Sequence, residues 1–108
     1  MTNVEKISCT NNAGFVMNFS IQWLGADGVW TTAEWNSGNY PINQTRTSPD
    51  LASIGVPKDA LAVSPYVHAI LGNHESGKPY VNYANNGQVG SYEVKGTTLN
   101  YSVALIGE

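Results

Sequence analysis

The chain has 108 residues, enough for one domain and little else. Only 12% are Asp, Glu, Lys or Arg while 42% are hydrophobic and 10% aromatic, a balance that excludes a disordered chain and the Glu/Lys/Ala/Leu-rich pattern of a helical bundle. The net charge of -3 argues against nucleic acid, whose binding rests on Lys and Arg contacts to phosphate.

Period-2 alternation dominates from the first residues onward. Residues 6–9 read as a short opening strand. Over residues 15–23 every odd position (Phe15, Met17, Phe19, Ile21, Trp23) is large and apolar, and from Asn18 onward the even ones are polar. Such a strand buries one face and wets the other. The turn Gly25-Ala26-Asp27-Gly28 then predicts a hairpin with residues 29–35. If Val29, Thr31, Ala33 and Trp35 face the core, Trp30 faces outward. Residues 39–47 read as an extended piece that Pro41 confines to an edge.

Between residues 48 and 64 the alternation fades. Ser48-Pro49-Asp50-Leu51 predicts a helical turn capped by Ser48, and residues 56–60 predict another. Strands follow at 66–71 and 80–84, separated by a loop over 72–79. Asn85-Asn86-Gly87 turns the chain into a strand at 88–95, Gly96 turns it again, and residues 99–105 alternate as the last strand. About seven to eight short strands with regular turn signals predict a single all-β domain over residues 1–108. The expected architecture is an antiparallel β-sandwich, with jelly-roll connections as one arrangement and a small barrel as the alternative.

Much familiar chemistry is missing. No stretch reaches the roughly 20 apolar residues of a spanning helix, so no transmembrane segment is expected. The start, Met1-Thr2-Asn3-Val4-Glu5-Lys6, lacks the basic and apolar regions of a secretory signal. The expected location is the cytoplasm, or release without a classical signal peptide. Cys9 is the only cysteine and reads as a small core residue. His68 and His74 lack a matching carboxylate pattern, so neither a metal nor a cofactor is expected. The eight acidic residues are scattered and no nucleophile or phosphate-binding motif occurs, which argues against an enzyme. Three Asn-x-Ser/Thr sequons, at Asn18, Asn43 and Asn100, fit chance in so amide-rich a chain.

What the chain does carry is aromatic and amide side chains near turns and strand ends. Trp30, Trp35 and Tyr40 bracket Asn36-Ser37-Gly38-Asn39, with Gln44 and Arg46 beyond; a second group runs from Asn73, His74 and Glu75 to Tyr80, Asn82, Tyr83, Asn85 and Asn86. A ring can receive the apolar face of a sugar, and planar amides can satisfy its hydroxyls. Asparagine also has a plainer use as a turn former. The candidate ligand-binding residues are Trp30, Asn36, Asn39, Tyr40 and Arg46, with His74, Tyr80 and Asn86 as a second patch. Whether the patches adjoin depends on topology.

Three segments carry a resemblance of size, strand pattern and composition: Asn12-Ala13-Gly14-Phe15-Val16-Met17-Asn18-Phe19, Trp35-Asn36-Ser37-Gly38-Asn39-Tyr40-Pro41 and Thr97-Thr98-Leu99-Asn100-Tyr101-Ser102-Val103. With them the chain resembles the small disulfide-free β-sandwich agglutinins (lectins) of fungi and slime moulds. In organisation it is also similar to aegerolysin-like and actinoporin-like lipid-recognising proteins. The first resemblance implies a carbohydrate-binding, haemagglutinin-type protein that recognises cell-surface glycans or glycoproteins, acting as a homo-oligomer so that weak sites add up. The second implies a membrane-lipid-binding or toxin-like protein in peripheral contact with zwitterionic headgroups through exposed Trp and Tyr. A structural or assembly subunit is a third reading.

Overall fold

The structure is a computed structural model that describes residues 1–107. In chain order its elements are β1 (Asn3–Val4), β2 (Lys6–Asn11), β3 (Met17–Leu24), β4 (Trp30–Asn36), β5 (Thr45–Thr47), a 3-10 turn (Leu51–Ile54), β6 (Ala62–Ala69), β7 (His74–Ser76), β8 (Asn82–Tyr83), β9 (Val89–Thr97) and β10 (Asn100–Gly107). Two four-stranded sheets, ordered β10-β9-β2-β5 and β4-β3-β6-β7, pack face to face beside a small β1-β8 pair. The all-β sandwich expected from the alternation is what forms, and neither sheet closes into a barrel.

The β4-β3-β6-β7 sheet is antiparallel throughout. In the other sheet β2 and β9 run parallel, as do β1 and β8. The chain leaves β2, builds all four strands of the second sheet, adding β5 beside β2 on the way, and then returns to lay β9 along the other edge of β2. Local turn signals report hairpins and are blind to such a return.

The inner faces follow the period-2 rule. Met17, Phe19 and Ile21 from β3 and Val63 and Val67 from β6 meet Ile7, Cys9, Tyr92 and Val94 from the opposing sheet, all fully buried. Each large apolar side chain withdrawn from water contributes about 1.5–3 kcal/mol. Phe15 meets Tyr101 and Phe19 meets Trp35 edge to face, with ring centroids 4.9 and 5.3 Å apart. The Tyr101 hydroxyl crosses between the sheets and donates to the Val67 carbonyl at 3.1 Å. Trp35 packs against the core and Trp30 lies on the other face of β4, as alternation requires. Trp23 is half-buried and, like Trp35, packs against the core from its margin.

Several boundaries differ from expectation for physical reasons. The 3-10 turn is capped by Asp50, whose carboxylate accepts from Ala52 N at 2.9 Å. Ser48 is instead buried and accepts from Ile7 N at 3.0 Å, stitching this segment to β2. Residues 56–60 form a turn rather than a helix. The loop predicted over 72–79 contains β7, which has no apolar alternation because it pairs as a polar strand with β6. Gly96 does not end its strand: β9 runs on to Thr97 and the hairpin turns at residues 98–99.

Candidate functional site

Four connections emerge at one end of the sandwich: residues 12–16 between β2 and β3, 37–44 between β4 and β5, 70–73 between β6 and β7, and 98–99 between β9 and β10. None of the eight acidic and five basic residues falls in any of them. Each carries an exposed aliphatic side chain: Leu71 is 96% exposed, Leu99 70%, Ile42 48% and Val16 41%. At the opposite end the exposed Val29 and Leu61 stand near Asp27, Lys58 and Asp59 in the adjoining turns. The four connections are thus free of charge, with Arg46 and the Glu93–Lys95 pair on the strands behind two of them.

The uncharged end is a built surface. Asn11, fully buried at the end of β2, directs its Nδ2 to the carbonyls of Phe15 (2.8 Å) and Tyr40 (3.2 Å) and accepts from Ala13 N at 3.0 Å. One amide therefore holds two of the four connections. Ile70 N donates to Val16 O at 3.0 Å, and Gly14 N to Gly96 O at 3.2 Å. Asn73 N donates to Thr98 O at 3.0 Å. Gly72 lies so close to Thr98 that a Cβ there would collide with its carbonyl oxygen. Leu71 adopts φ 62°, a left-handed conformation that costs a non-glycine residue roughly 1–2 kcal/mol. Its side chain makes up none of that by packing, since it is almost wholly in solvent.

Burial shapes the titrating groups below this surface. It pushes the Tyr101 hydroxyl up to about 12 and is the largest cause of that shift. The same desolvation raises the Cys9 thiol and the phenols of Tyr40 and Tyr92. Glu93 is held below the usual carboxylate range, first by its hydrogen bond from Asn12 at 2.7 Å and then by Lys95.

The eight residues singled out in the sequence separate. Asn36 and Asn39 lie on the outer face of the β4-β3-β6-β7 sheet, where Asn36 Nδ2 donates to Asn18 Oδ1 and Asn18 Nδ2 to Asn39 Oδ1, both at 3.0 Å. His74 belongs to the same face through the register Asn18–His68–His74. Trp30 and Tyr80, expected in different patches, meet edge to face with centroids 5.0 Å apart. That pair is remote from Asn36, since Trp30 opens β4 and Asn36 closes it. Tyr40 is not a surface ligand: it is 1% exposed and its hydroxyl donates to Cys9 O at 2.8 Å. Arg46 packs over the Tyr40 ring, 5.0 Å from its centroid, and donates to Ser37 O at 2.6 Å, so it braces a loop. Asn86 is a turn former, accepting from Gln88 N at 3.0 Å and donating to Asn3 O at 2.9 Å.

Sequence reasoning missed the aliphatic end. Leu99 reads as the first inward residue of an alternating strand, yet it sits in the turn. Leu71 reads as the end of a strand. The available signal was the lack of charge in four separate loops, which only topology brings together.

Fold and surface together define an all-β sandwich with one uncharged, aliphatic end, and the fold has counterparts of known structure. No family model and no curated protein matches the sequence. Among solved structures, listeriolysin O is similar over 96% of this chain and 22% of its own, with a TM-score of 0.53 and 15% identity. Pneumolysin is similar over 96% of this chain and 23% of its own, with a TM-score of 0.53 and 13% identity. The membrane-binding domain of pneumolysin, taken alone, aligns over 96% of both chains with a TM-score of 0.49 and 13% identity. At these identities the likeness is one of fold. The chain spans less than a quarter of listeriolysin O, at 22%, and of pneumolysin, at 23%.

Proposed function

We propose that this protein is a peripheral membrane-binding module that seats its uncharged end in the outer part of a lipid bilayer. The observation that carries this reading is the convergence of Leu71, Leu99, Ile42 and Val16 on four charge-free loops tied to one another. Burying an exposed leucine side chain contributes about 1.5–3 kcal/mol. Two such residues with partial insertion of Ile42 and Val16 are enough for reversible attachment. Asn12, Asn39, Asn43 and Asn73 surround them with neutral hydrogen-bonding groups suited to the headgroup layer. The four loops themselves carry no Lys or Arg, while Arg46 is bonded to Ser37 O and Lys95 is paired to Glu93, which points to zwitterionic rather than anionic lipid. No described helix is long and apolar enough to cross a membrane, so contact by loops is the arrangement supported. The anchors are aliphatic side chains and not the Trp and Tyr anticipated from composition.

Flotation with phosphatidylcholine vesicles, prepared with and without cholesterol, tests the reading. The protein is expected to float with one or both, and Leu71→Ser and Leu99→Ser each to weaken partition by about tenfold, equivalent to about 1.4 kcal/mol. Failure of the folded protein to float with any vesicle would overturn it.

A further inference from the structure

We propose that the outer face of the β4-β3-β6-β7 sheet, just behind the aliphatic end, is a binding site for an uncharged saccharide, either free or carried as a glycolipid headgroup. It is distinct from the four loops and stands on its own observations.

The first is a column of rings. His74 from β7 stacks on His68 from β6 with centroids 4.2 Å apart and planes 4° from parallel, and on Tyr66 with centroids 5.2 Å apart and planes 19° apart. Side chains on one face of a strand stand roughly perpendicular to the sheet. Stacking holds three of them upright. Among the described residues their polar atoms make no hydrogen bond to protein, so imidazole nitrogens and a phenol hydroxyl stand at the edge of an already ordered stack.

The second is a chain of amides continuing the same rows. Asn36 Nδ2 donates to Asn18 Oδ1 and to Ser20 Oγ, each at 3.0 Å, and Gly38 N donates to Asn36 Oδ1 at 2.8 Å. Asn18 passes its own donor to Asn39 Oδ1 at 3.0 Å, which leaves Asn39 Nδ2 uncommitted. One row back, Ser76 Oγ donates to Gln22 Oε1 at 3.2 Å, leaving Gln22 Nε2 uncommitted. The network thus fixes which end of each amide meets a ligand. Donors at Asn39 and Gln22, on the β4 and β3 side, adjoin imidazole nitrogens on β6 and β7 that both donate and accept, the mixture a row of sugar hydroxyls requires. Ordering before binding removes part of the entropic cost of recognition.

The third is charge. Asn18, Ser20, Gln22, Asn36, Asn39, Tyr66 and Ser76 carry no fixed charge, and the one carboxylate sharing this face of β4, Glu34, repels anions, so these rows hold no Lys or Arg to compensate a carboxylate, sulfate or phosphate. Placement then relates this face to a membrane. Asn18 lies two residues from Val16 and His68 three from Leu71, about 7–10 Å at strand rise. A saccharide projecting from a bilayer would meet these rows while the aliphatic loops met lipid.

The experiment is an array of immobilised neutral and acidic oligosaccharides probed with the intact protein. Binding to one or more neutral glycans is expected, competed by the same glycan in solution. His74→Ala with Asn36→Ala should weaken it about tenfold or more while amide NMR dispersion shows the fold retained. Leu71→Ser with Leu99→Ser should leave it unchanged, which separates this proposal from the membrane reading. No binding, binding confined to acidic glycans, or binding indifferent to His74 and Asn36 would overturn it. Vesicles displaying the bound glycan as a glycolipid distinguish the source: restored flotation of the double leucine variant assigns a lipid-borne ligand, and no restoration assigns a free one.

Discussion

Asn73 fastens its own loop to the neighbouring hairpin by donating from Nδ2 to the Leu99 carbonyl at 2.9 Å. Leu71, two residues before Asn73, and Leu99 are therefore presented as one unit rather than on two independent loops. Asn73→Ala removes this bond but keeps the main-chain bond to Thr98. The expected cost is about 0.5–1.5 kcal/mol of stability. Vesicle partition should fall more than the shift in melting temperature accounts for, because both leucines lose their common orientation. Partition unchanged in this variant would show that the loops need not act together.

Leu71→Gly is expected to separate function from stability in the opposite direction. Glycine adopts φ 62° without steric penalty, so relief of the left-handed leucine offsets the greater freedom of the unfolded chain. Stability should stay within about 1 kcal/mol of the parent or rise, while vesicle partition drops about tenfold. Chemical denaturation and flotation on the same preparation check both halves.

Gly72→Ala is the steric counterpart. The added methyl meets the Thr98 carbonyl and must push the two loops apart. Strain of this kind costs about 1–3 kcal/mol. Faster amide exchange at Asn73, whose main-chain N–H donates to Thr98, should accompany the loss.

Alkali should unfold the protein through its buried phenols. The Tyr101 hydroxyl titrates near about 12 in the folded state, above the unfolded value of about 10. The folded state therefore keeps a proton that the unfolded state gives up. The stability from this group is complete below about pH 10 and is lost as pH rises through about 12. The proton in question is the one shared between the Asn73 and Val67 carbonyls. Denaturation midpoints should be level between about pH 8 and about pH 10 and fall above that. Tyr101→Phe should be less stable at neutral pH but lose less on going to alkali.

The inward-facing alternation of β3, the hairpin into β4 and the core role of Cys9 were legible because each depends on local periodicity. Tyr40 was misplaced because its burial comes from an isolated bridge to Met17 across the loop, which no periodic pattern announces. His68 and His74 read as a strand residue and a loop residue. They became a stack only once a three-residue strand of polar composition was found to pair. Asn11 is the sharpest case. It is one asparagine among many in sequence, yet fully buried and holding two loops in the fold. Composition supplied the residue types, and the long-range return of the chain decided where they lie.

The segregation of charge away from the four loops also sets the conditions under which attachment can be controlled. The four loops carry no charge of their own and the ion pair beside them, Glu93–Lys95, is internal to the protein, so raising ionic strength should neither release the protein nor recruit it. Temperature takes over that role, because transfer of aliphatic surface out of water weakens on cooling. Partition should be nearly flat across a salt titration and fall when the vesicles are chilled at constant lipid phase. A steep salt dependence would mean that charged residues elsewhere on the molecule, and not this end, make the contact.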